Sequence, residues 1–466
     1  MIHRVEELSE KNRETLKLAA CVGSWFRQDV FADIATNGDI RQTRAELIQL
    51  ANEGFFRLGR RDVTFAHDKV REAAYALTSS EEKASMHYRI AITYLSLLHR
   101  FRLEDHIFTI VTQLNQGISH IKTDEEKQQL LKLNLMAGKK SLAANAHNAA
   151  RGYFQIAIGA LPAMAWQNDY ESSIDLHTNL ARAEYLEKDY TAAERTFDLI
   201  LKNARSAFDK VPVYEMRSAM YVSQNKILEG LELLKNALKV LGVTLPANPG
   251  RLDILSEIVR FKFLIGKTSV RDLIDLPLMK DEHSLAVMRL LNASSAPSFL
   301  ARSDLFPVIV LHMVNLSLRK GNSAFSPFAY ATFGIIQSAG LGDIDAGYEF
   351  GKLALKLIPR LGTQARPIES RTIFVFQSML NHWKYHAGEG KPLYERAFRA
   401  GLESGDLQYA SYCLNNRFFQ GLMIRENLDD LCAEFAARRP AIASLQQHNA
   451  YQLYQLNEQS ALNLRG

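Results

Sequence analysis

The sequence contains little of what marks disulfide-rich, zinc-binding, secreted or membrane-spanning proteins. It has three cysteines, Cys21, Cys413 and Cys432, and no two of them have Cys-x-x-Cys spacing. An odd, scattered set of this kind suits buried thiols in a reducing cytoplasm. No apolar run is as long as the roughly 18 residues that a membrane span needs. The charged N-terminus has no apolar signal core, so we expect a cytoplasmic protein.

A phosphate-binding loop is also missing. Such a loop needs Gly-x-x-x-x-Gly-Lys-Ser/Thr, because its glycines let consecutive backbone N–H groups converge on the phosphates. The triplet beginning at Gly266 matches only the end of this motif, since Phe261 stands where the first glycine belongs. Residues 251–264 have apolar side chains at helical spacing, which predicts a helix with Lys267 just past its end. We therefore expect no nucleotide or other cofactor on this chain.

Motifs for metal binding and catalysis are sparse. His382 and His386 have the i, i+4 spacing that can hold a metal on a helix, but the general-base glutamate of His-Glu-x-x-His is missing. No Gly-x-Ser-x-Gly elbow occurs, and neither do protein-kinase or histidine-kinase motifs. The sequence therefore predicts no metal site and no enzymatic activity.

Amphipathic helical patterns fill most of the sequence, and one exception lies near its start. Three short helical patterns lead into two apolar strand patterns at 55–58 and 63–65, which flank a turn at 59–62. Three helices followed by a β-hairpin is the layout of a winged-helix domain. We predict such a domain at 1–78, followed by connecting helices at 79–130.

Binding of DNA through the hairpin turn is one function that this layout raises. Arg60 and Arg61 lie in the turn, where they could contact phosphates. Residues 1–100 carry 15 Lys and Arg against 14 Asp and Glu, so no basic field supports them. The formal net charge of the whole chain, +5, is also too diffuse to indicate a nucleic-acid partner.

Imperfect helical repeats begin near residue 130. The tetratricopeptide pattern has a small residue on its first helix and, twelve positions later, Ala-x-x-x-large-x-x-Ala on its second. We predict an all-α fold in which the winged-helix domain is followed by a tetratricopeptide-like α-α superhelix at 131–466, an unrelated all-α bundle being the alternative. The copies are Gly138, Ala150, Phe154 and Ala157; Ala181, Ala193, Phe197 and Ile200; Gly230, Leu234 and Ala237; and Gly334, Ala346, Phe350 and Leu353.

His67 and Asp68 stand where the second hairpin strand gives way to a new helix. One interpretation is that Asp68 caps this helix and that His67 is an incidental polar residue. The other is that a side chain at this junction points at a neighbouring domain. Spacing alone leaves both open.

Several stretches of the sequence resemble one family. LKLAACVGSWFRQDVFADIA and VTFAHDKVREAAYALTSSEEKASMHYRIA resemble the winged-helix end of the signal-transduction ATPases with numerous domains. VYEMRSAMYVSQNKILEGLELLKNALKVLGVTLP and GLGDIDAGYEFGKLALKL are similar to the helical part of large bacterial members. Those members carry a serine/threonine kinase, the ATPase, helical repeats, a GAF sensor and a histidine kinase.

The resemblance implies a role for one pair of residues and none in catalysis. The phosphate loop of the ATPase would lie before Met1, and kinase and GAF modules are absent, so catalytic activity does not carry over. Phe65, His67 and Asp68 resemble the Met-His-Asp motif of related ATPases, in which the histidine contacts the diphosphate of bound ADP. The resemblance thus implies that His67 and Asp68 sense the state of a nucleotide held by an ATPase domain in cis or in trans.

From these observations we expect a non-catalytic sensing and coupling segment of a multidomain signal-transduction ATPase or kinase. A protein partner or a small effector would bind the concave surface of the repeats. The main alternative is a stand-alone helical-repeat scaffold for a protein partner. A winged-helix DNA-binding regulator is less well supported, because the first domain is nearly neutral.

We expect the purified chain neither to bind nor to hydrolyse ATP, because it has no phosphate cradle. Isothermal titration calorimetry measures the binding directly. A micromolar affinity for ATP that Lys267→Ala abolishes would contradict the assignment of Lys267 as an ordinary basic residue.

Overall fold

Helices dominate the fold because apolar side chains recur every three or four residues along most of the sequence. The computed structural model describes residues 2–99, 101–301, 303–445 and 447–466. The chain divides into two units, Met1–Asp189 and Tyr190–Gly466. This division falls inside the predicted repeat array, and the domain boundaries predicted after residues 78 and 130 stay predictions.

The first unit combines helices with three short strands. Its elements are α1 (Ile2–Glu6), α2 (Glu10–Val22), β1 (Trp25–Arg27), α3 (Gln28–Thr36), α4 (Ile40–Asn52), β2 (Phe56–Leu58), β3 (Asp62–Phe65), α5 (Asp68–Ala76), α6 (Ser80–Ser96), α7 (Leu103–Gln116), a 3-10 turn (Ile118–His120), α8 (Asp124–Ala143), α9 (His147–Gly159), α10 (Ala165–Asn168) and α11 (Tyr170–Leu186).

The strands form an antiparallel sheet in the order β1-β3-β2. Phe26 pairs with Val63 and Phe56 pairs with Phe65, and all four side chains are buried against the surrounding helices. The β2–β3 hairpin and the three helices before it lie where the sequence predicts them. β1 was not predicted, because a three-residue strand carries too little alternation to be recognised. Assignment of this arrangement to the winged-helix class stays a prediction.

The α8–α9 pair illustrates how the helices approach each other. Gly138 on α8 lies against Phe154 on α9, and a Cβ atom added at Gly138 would overlap the phenyl ring. Ala150, Phe154 and Ala157 have no exposed surface. The small residues therefore bring the two helix axes together, and the phenyl ring fills the remaining space.

The second unit is helical in its described residues, apart from connecting segments and an isolated β-bridge between Leu278 and Asn322. Its elements are α12 (Tyr190–Asn203), α13 (Ala207–Ser223), α14 (Ile227–Val240), α15 (Arg251–Ile265), a 3-10 turn (Val270–Asp275), α16 (Glu282–Leu300), α17 (Leu305–Lys320), α18 (Ser326–Ile335), a π turn (Ile336–Gly340), α19 (Ile344–Leu361), a 3-10 turn (Gly362–Ala365), α20 (Arg366–Val375), a π turn (Phe376–Leu380), two 3-10 turns (Asn381–Trp383 and Ala387–Gly390), α21 (Lys391–Ser404), α22 (Leu407–Met423), α23 (Leu428–Ser444) and α24 (His448–Arg465).

Consecutive helices of this unit also pack in pairs: α13 with α14, α16 with α17, α18 with α19, α21 with α22, and α23 with α24. In the first pair, Gly230 lies against Ser218, whose hydroxyl donates a 2.9 Å hydrogen bond to the Gly230 carbonyl. The second sequence copy is divided between the units. Ala181 lies on α11 of the first unit, while Ala193 and Phe197 lie on α12 of the second, and all three are fully buried.

In the α18–α19 pair, the contact predicted for Ala346 falls on the next residue. Ala346 is only half-buried, whereas Gly347 is buried and an added Cβ there would lie 2.5 Å from the carbonyl oxygen of Gly334. The cause is the π turn between the two helices' contact positions, in which the Leu341 N–H donates to the Ile336 carbonyl five residues earlier. The extra residue moves the facing position from twelve to thirteen residues after Gly334. Phe350 is buried.

Two glycines of the α8–α9 pair give a matched test of this packing. Gly138→Ala should destabilise the chain by about 1–3 kcal/mol, because the new methyl group overlaps Phe154. Gly152→Ala on α9 should instead stabilise it by about 0.5–1 kcal/mol, since an added Cβ there meets no atom within 4 Å and alanine favours helix. Urea unfolding midpoints measure both effects. Effects of the same sign would contradict the close approach at Gly138.

Candidate functional site

The His67–Asp68 junction connects β3 to α5. Phe65 and Val70, on either side of it, are buried in the core of the first unit. The Ala66 N–H donates a 2.9 Å hydrogen bond to the Phe55 carbonyl, which fixes the chain immediately before His67. The junction is therefore held at both ends, while the side chains of His67 and Asp68 are exposed.

His67, rather than Asp68, occupies the N-cap position of α5. Its backbone is extended (φ −149°, ψ 145°), and its side chain makes no capping hydrogen bond. Asp68 is the first helical residue, where its carboxylate interacts favourably with the helix dipole. The interpretation in which Asp68 is the cap is therefore wrong. The nucleotide-sensing role of the pair stays a prediction.

The beginning of α5 offers several hydrogen-bond donors to an anionic group. The first N–H groups of any helix have no intrahelical acceptor and, with the helix dipole, favour negative charge. The imidazole of His67 has no hydrogen-bond partner among the residues that the structure describes. Arg71 lies one helical turn further on, and its Nε atom is buried without a described acceptor. A phosphate group at this corner would meet the exposed imidazole of His67 and the backbone donors.

A buried polar network lies below this corner and links four helices. His87 on α6 contacts Gln113 on α7 through Nδ1 at 2.5 Å and Tyr75 on α5 through Nε2 at 3.1 Å. The Gln113 amide nitrogen donates a 3.0 Å hydrogen bond to the carbonyl of Cys21 on α2. The Gln113 oxygen therefore faces His87, so Nδ1 carries the proton and Nε2 accepts from the tyrosine hydroxyl. A neutral imidazole satisfies every partner.

Burial lowers the pKa of His87 below its ordinary value, and the positive charge of Lys83 acts in the same direction. The hydrogen bond to Gln113 opposes both effects without reversing them. The sequence gives no local sign of this network, because its members lie between 12 and 92 residues apart and form no short motif. Only the packing of α2, α5, α6 and α7 brings them together.

The residues predicted for repeat packing lie inside helix pairs rather than on a binding surface. Gly138, Ala150, Phe154, Ala157, Ala193, Phe197, Gly334 and Phe350 are all buried. They shape the contacts within the pairs and leave the opposite helix faces exposed.

Two motifs that the sequence singled out lie in turns or just past the end of a helix. His382 lies in the 3-10 turn Asn381–Trp383, and His386 precedes another, where its Nδ1 accepts a hydrogen bond from the Gly388 N–H. The two histidines thus do not share one face of a continuous helix. Within the described ranges, no group of three or more His, Cys, Asp or Glu side chains is arranged to hold a metal. Lys267 follows the end of α15, where Gly266 has φ 52°.

No helix in the described part of the chain has the length and apolar character that a membrane span requires.

No protein-family model matches the chain. The chain is similar to hybrid signal transduction histidine kinase G of Dictyostelium discoideum, with 23% identity over 413 residues. The match covers 78% of this chain and 12% of that protein, so the chain spans a small part of the length of this curated relative.

Among solved structures, the chain is similar to a signal transduction ATPase with numerous domains, with a tetratricopeptide repeat sensor, from Pyrococcus horikoshii. The identity is 13% and the TM-score 0.41, and the match covers 99% of this chain and 61% of that one. A TM-score of this size does not establish a shared fold.

The His87 network predicts a pH dependence of stability. Because the folded-state pKa of His87 is lowered, its unfolded state binds more protons as the pH falls. The stabilisation is therefore complete above the unfolded pKa of about 6.5 and is lost progressively below it. His87→Gln should lower the free energy of unfolding at neutral pH by about 1–3 kcal/mol and flatten its decline towards acid pH.

Urea unfolding over a series of pH values measures both quantities. His99→Gln is the matched control, since His99 is exposed in the same unit and should leave stability and its pH dependence unchanged. An unchanged pH dependence in His87→Gln would contradict a neutral, buried His87.

Proposed function

We propose that this chain is a non-catalytic sensing and coupling segment of a multidomain signal-transduction protein. The observation that carries the proposal is the similarity of 78% of the chain to 12% of a hybrid signal transduction histidine kinase. Similarity over most of this chain to a small part of a much longer signalling protein supports a module that serves other domains. The helical pairs supply exposed faces for a protein partner or a small effector.

The first 78 residues act in this proposal as a winged-helix domain. The order of α2, β1, α3, α4 and the β2–β3 hairpin, with β1 completing the sheet, supports that assignment. Within this domain, the junction between β3 and α5 is held rigidly, because Phe65 and Val70 are buried on either side of it. A side chain on a fixed junction can report the state of a group that another domain presents.

Coupling between the repeats and this domain requires a connection that responds to movement. The His87 network supports such a connection, because it ties α2 and α5 to α6 and α7 through directional hydrogen bonds. A partner that binds the helical repeats would favour one of two arrangements and so shift their populations. The shift would reach α5, whose first turn carries His67 and Asp68.

In the resulting switch, an ATPase domain supplied in cis or in trans holds the nucleotide, and His67 contacts its terminal phosphate in the ADP state. The exposed imidazole and the open N-terminus of α5 support a contact with an anion. This chain itself performs no chemistry on the nucleotide.

His67→Ala should weaken ADP binding by about ten- to a hundredfold when the chain is fused to or mixed with a cognate ATPase domain. The variant loses one charge-assisted hydrogen bond, of about 1.5–3 kcal/mol, to the terminal phosphate of ADP. ATP binding should change much less. Calorimetric titration of both nucleotides measures the difference.

His99→Ala provides the control, because it removes another exposed histidine of the same unit. It should leave both affinities unchanged. Equal ADP and ATP affinities before and after His67→Ala would remove the sensing role, and a stand-alone scaffold would then account for the chain better.

A further inference from the structure

The outer face of α15 carries a stripe of exposed apolar side chains. Leu252, Leu255, Val259 and Phe263 are exposed by 81%, 54%, 60% and 85%. Their spacing of three, four and four residues aligns them along one side of the helix. The opposite side is also apolar, with Phe261 buried against Phe333 and Phe350. A helix that is apolar on both sides normally has both sides covered, and contiguous exposed apolar surface marks an interaction site.

Positive charge borders this stripe. By helical periodicity, Arg251 and Lys262 lie on one flank and Arg260 on the other, and Lys267 follows the helix end. Arg260 forms an ion pair with Glu257. Arg251, Lys262 and Lys267 are exposed, and none pairs with a carboxylate of any residue in the described ranges. The surface around the stripe therefore carries uncompensated positive charge.

The 3-10 turn beyond the end of α15 carries both signs of charge, since Arg271, Asp272 and Asp275 are all exposed in it. Arg271, in the following 3-10 turn, forms an ion pair with Glu349 on α19. The pKa of Glu349 is lowered chiefly by its hydrogen bond to Arg271, with further contributions from the charges of Lys352 and Lys356. Charge around this turn is therefore mixed, and the unpaired cations beside the stripe are Arg251, Lys262 and Lys267.

These charges argue against a second copy of the chain as the occupant. In a twofold dimer, two antiparallel α15 helices would pack through their stripes. The flank that carries Arg251 and Lys262 in one copy would then lie beside the same flank of the other copy. Arg251 of one copy would then lie near Lys262 of the other, and like charges so arranged are destabilising. An anionic occupant would instead complement these charges.

The shape of the stripe favours a fluid partner over a folded one. Leu252 and Phe263 are its most exposed side chains and lie near its opposite ends, so they project away from the protein. A protein partner would have to supply a cavity for each projecting side chain. A lipid surface accepts them without matched cavities, because its acyl region deforms around them.

We propose that α15 is a peripheral membrane contact that binds an anionic lipid surface. Leu252, Leu255, Val259 and Phe263 insert at the boundary between headgroups and acyl chains. Arg251, Lys262 and Lys267 lie at the level of the lipid phosphates and carboxylates. Lys267 does not belong to a phosphate-binding loop. In this proposal it contacts the phosphate groups of lipids at the membrane surface. Such a contact needs no membrane span and does not depend on the nucleotide switch.

Sedimentation of the full chain with phosphatidylcholine vesicles, with and without phosphatidylserine, tests the proposal. The chain should sediment with the phosphatidylserine vesicles, remain in solution with pure phosphatidylcholine, and dissociate as salt increases. Leu252→Ser with Phe263→Ser should weaken binding about tenfold or more, by the loss of two inserted side chains. Lys262→Glu with Lys267→Glu should do the same through charge.

Leu456→Ser is the matched control, since Leu456 on α24 is 64% exposed but lies on another helix. It should leave vesicle binding unchanged. Because all substituted side chains are exposed, circular dichroism and urea unfolding should match the parent for every variant. Absence of binding to phosphatidylserine vesicles, or equal binding by the α15 variants, would overturn the proposal. Two other results would also overturn it, if the Leu252 and Phe263 substitutions abolish them. One is a dimer of the chain, and the other is binding of an acidic amphipathic peptide without any binding of vesicles.

Discussion

Paired helices in this chain approach so closely that one of the facing residues must lack bulk at the contact. Gly138 faces the ring of Phe154, Gly230 faces Ser218, and Gly334 faces the backbone of Gly347. Each contact sets the distance between two helices and hence the space that larger residues fill. Phe154 is fully buried because Gly138 leaves room for its ring. The remaining surfaces of each pair follow from this spacing, including the faces that stay exposed.

Local patterns predict those parts of the fold whose causes are local. Helical periodicity predicts most of the helices, and two apolar stretches around a turn predict the β2–β3 hairpin. The burial of Ala150 and Phe154 follows from a spacing that holds along uninterrupted helices. Ala346 was predicted one residue away from the contact, because nothing in the local sequence signals the π turn before it. The His87 network was missed because tertiary packing alone joins its members.

Two histidines of the first unit, His87 and His67, have opposite surroundings. His87 is buried and neutral, and each of its ring nitrogens has a partner. His67 is exposed at a fixed junction, with no described partner for its ring. The buried histidine holds helices in one orientation, since its hydrogen bonds are directional, whereas the exposed one is available to a group from outside. α5 carries His67 at its start and Tyr75 near its end, so one short helix connects both.

The π turns at Ile336–Gly340 and Phe376–Leu380 also bear on how such arrays change in evolution. A helix can absorb a single inserted codon as a local bulge, so the insertion need not be moved to a loop. The partner helix then keeps its contact, and only the numbering of the facing residue drifts. The packing of the two helices is then kept, while the spacing of the contact residues in the sequence changes. A search with one fixed repeat length therefore misses a pair of helices that contains such a bulge.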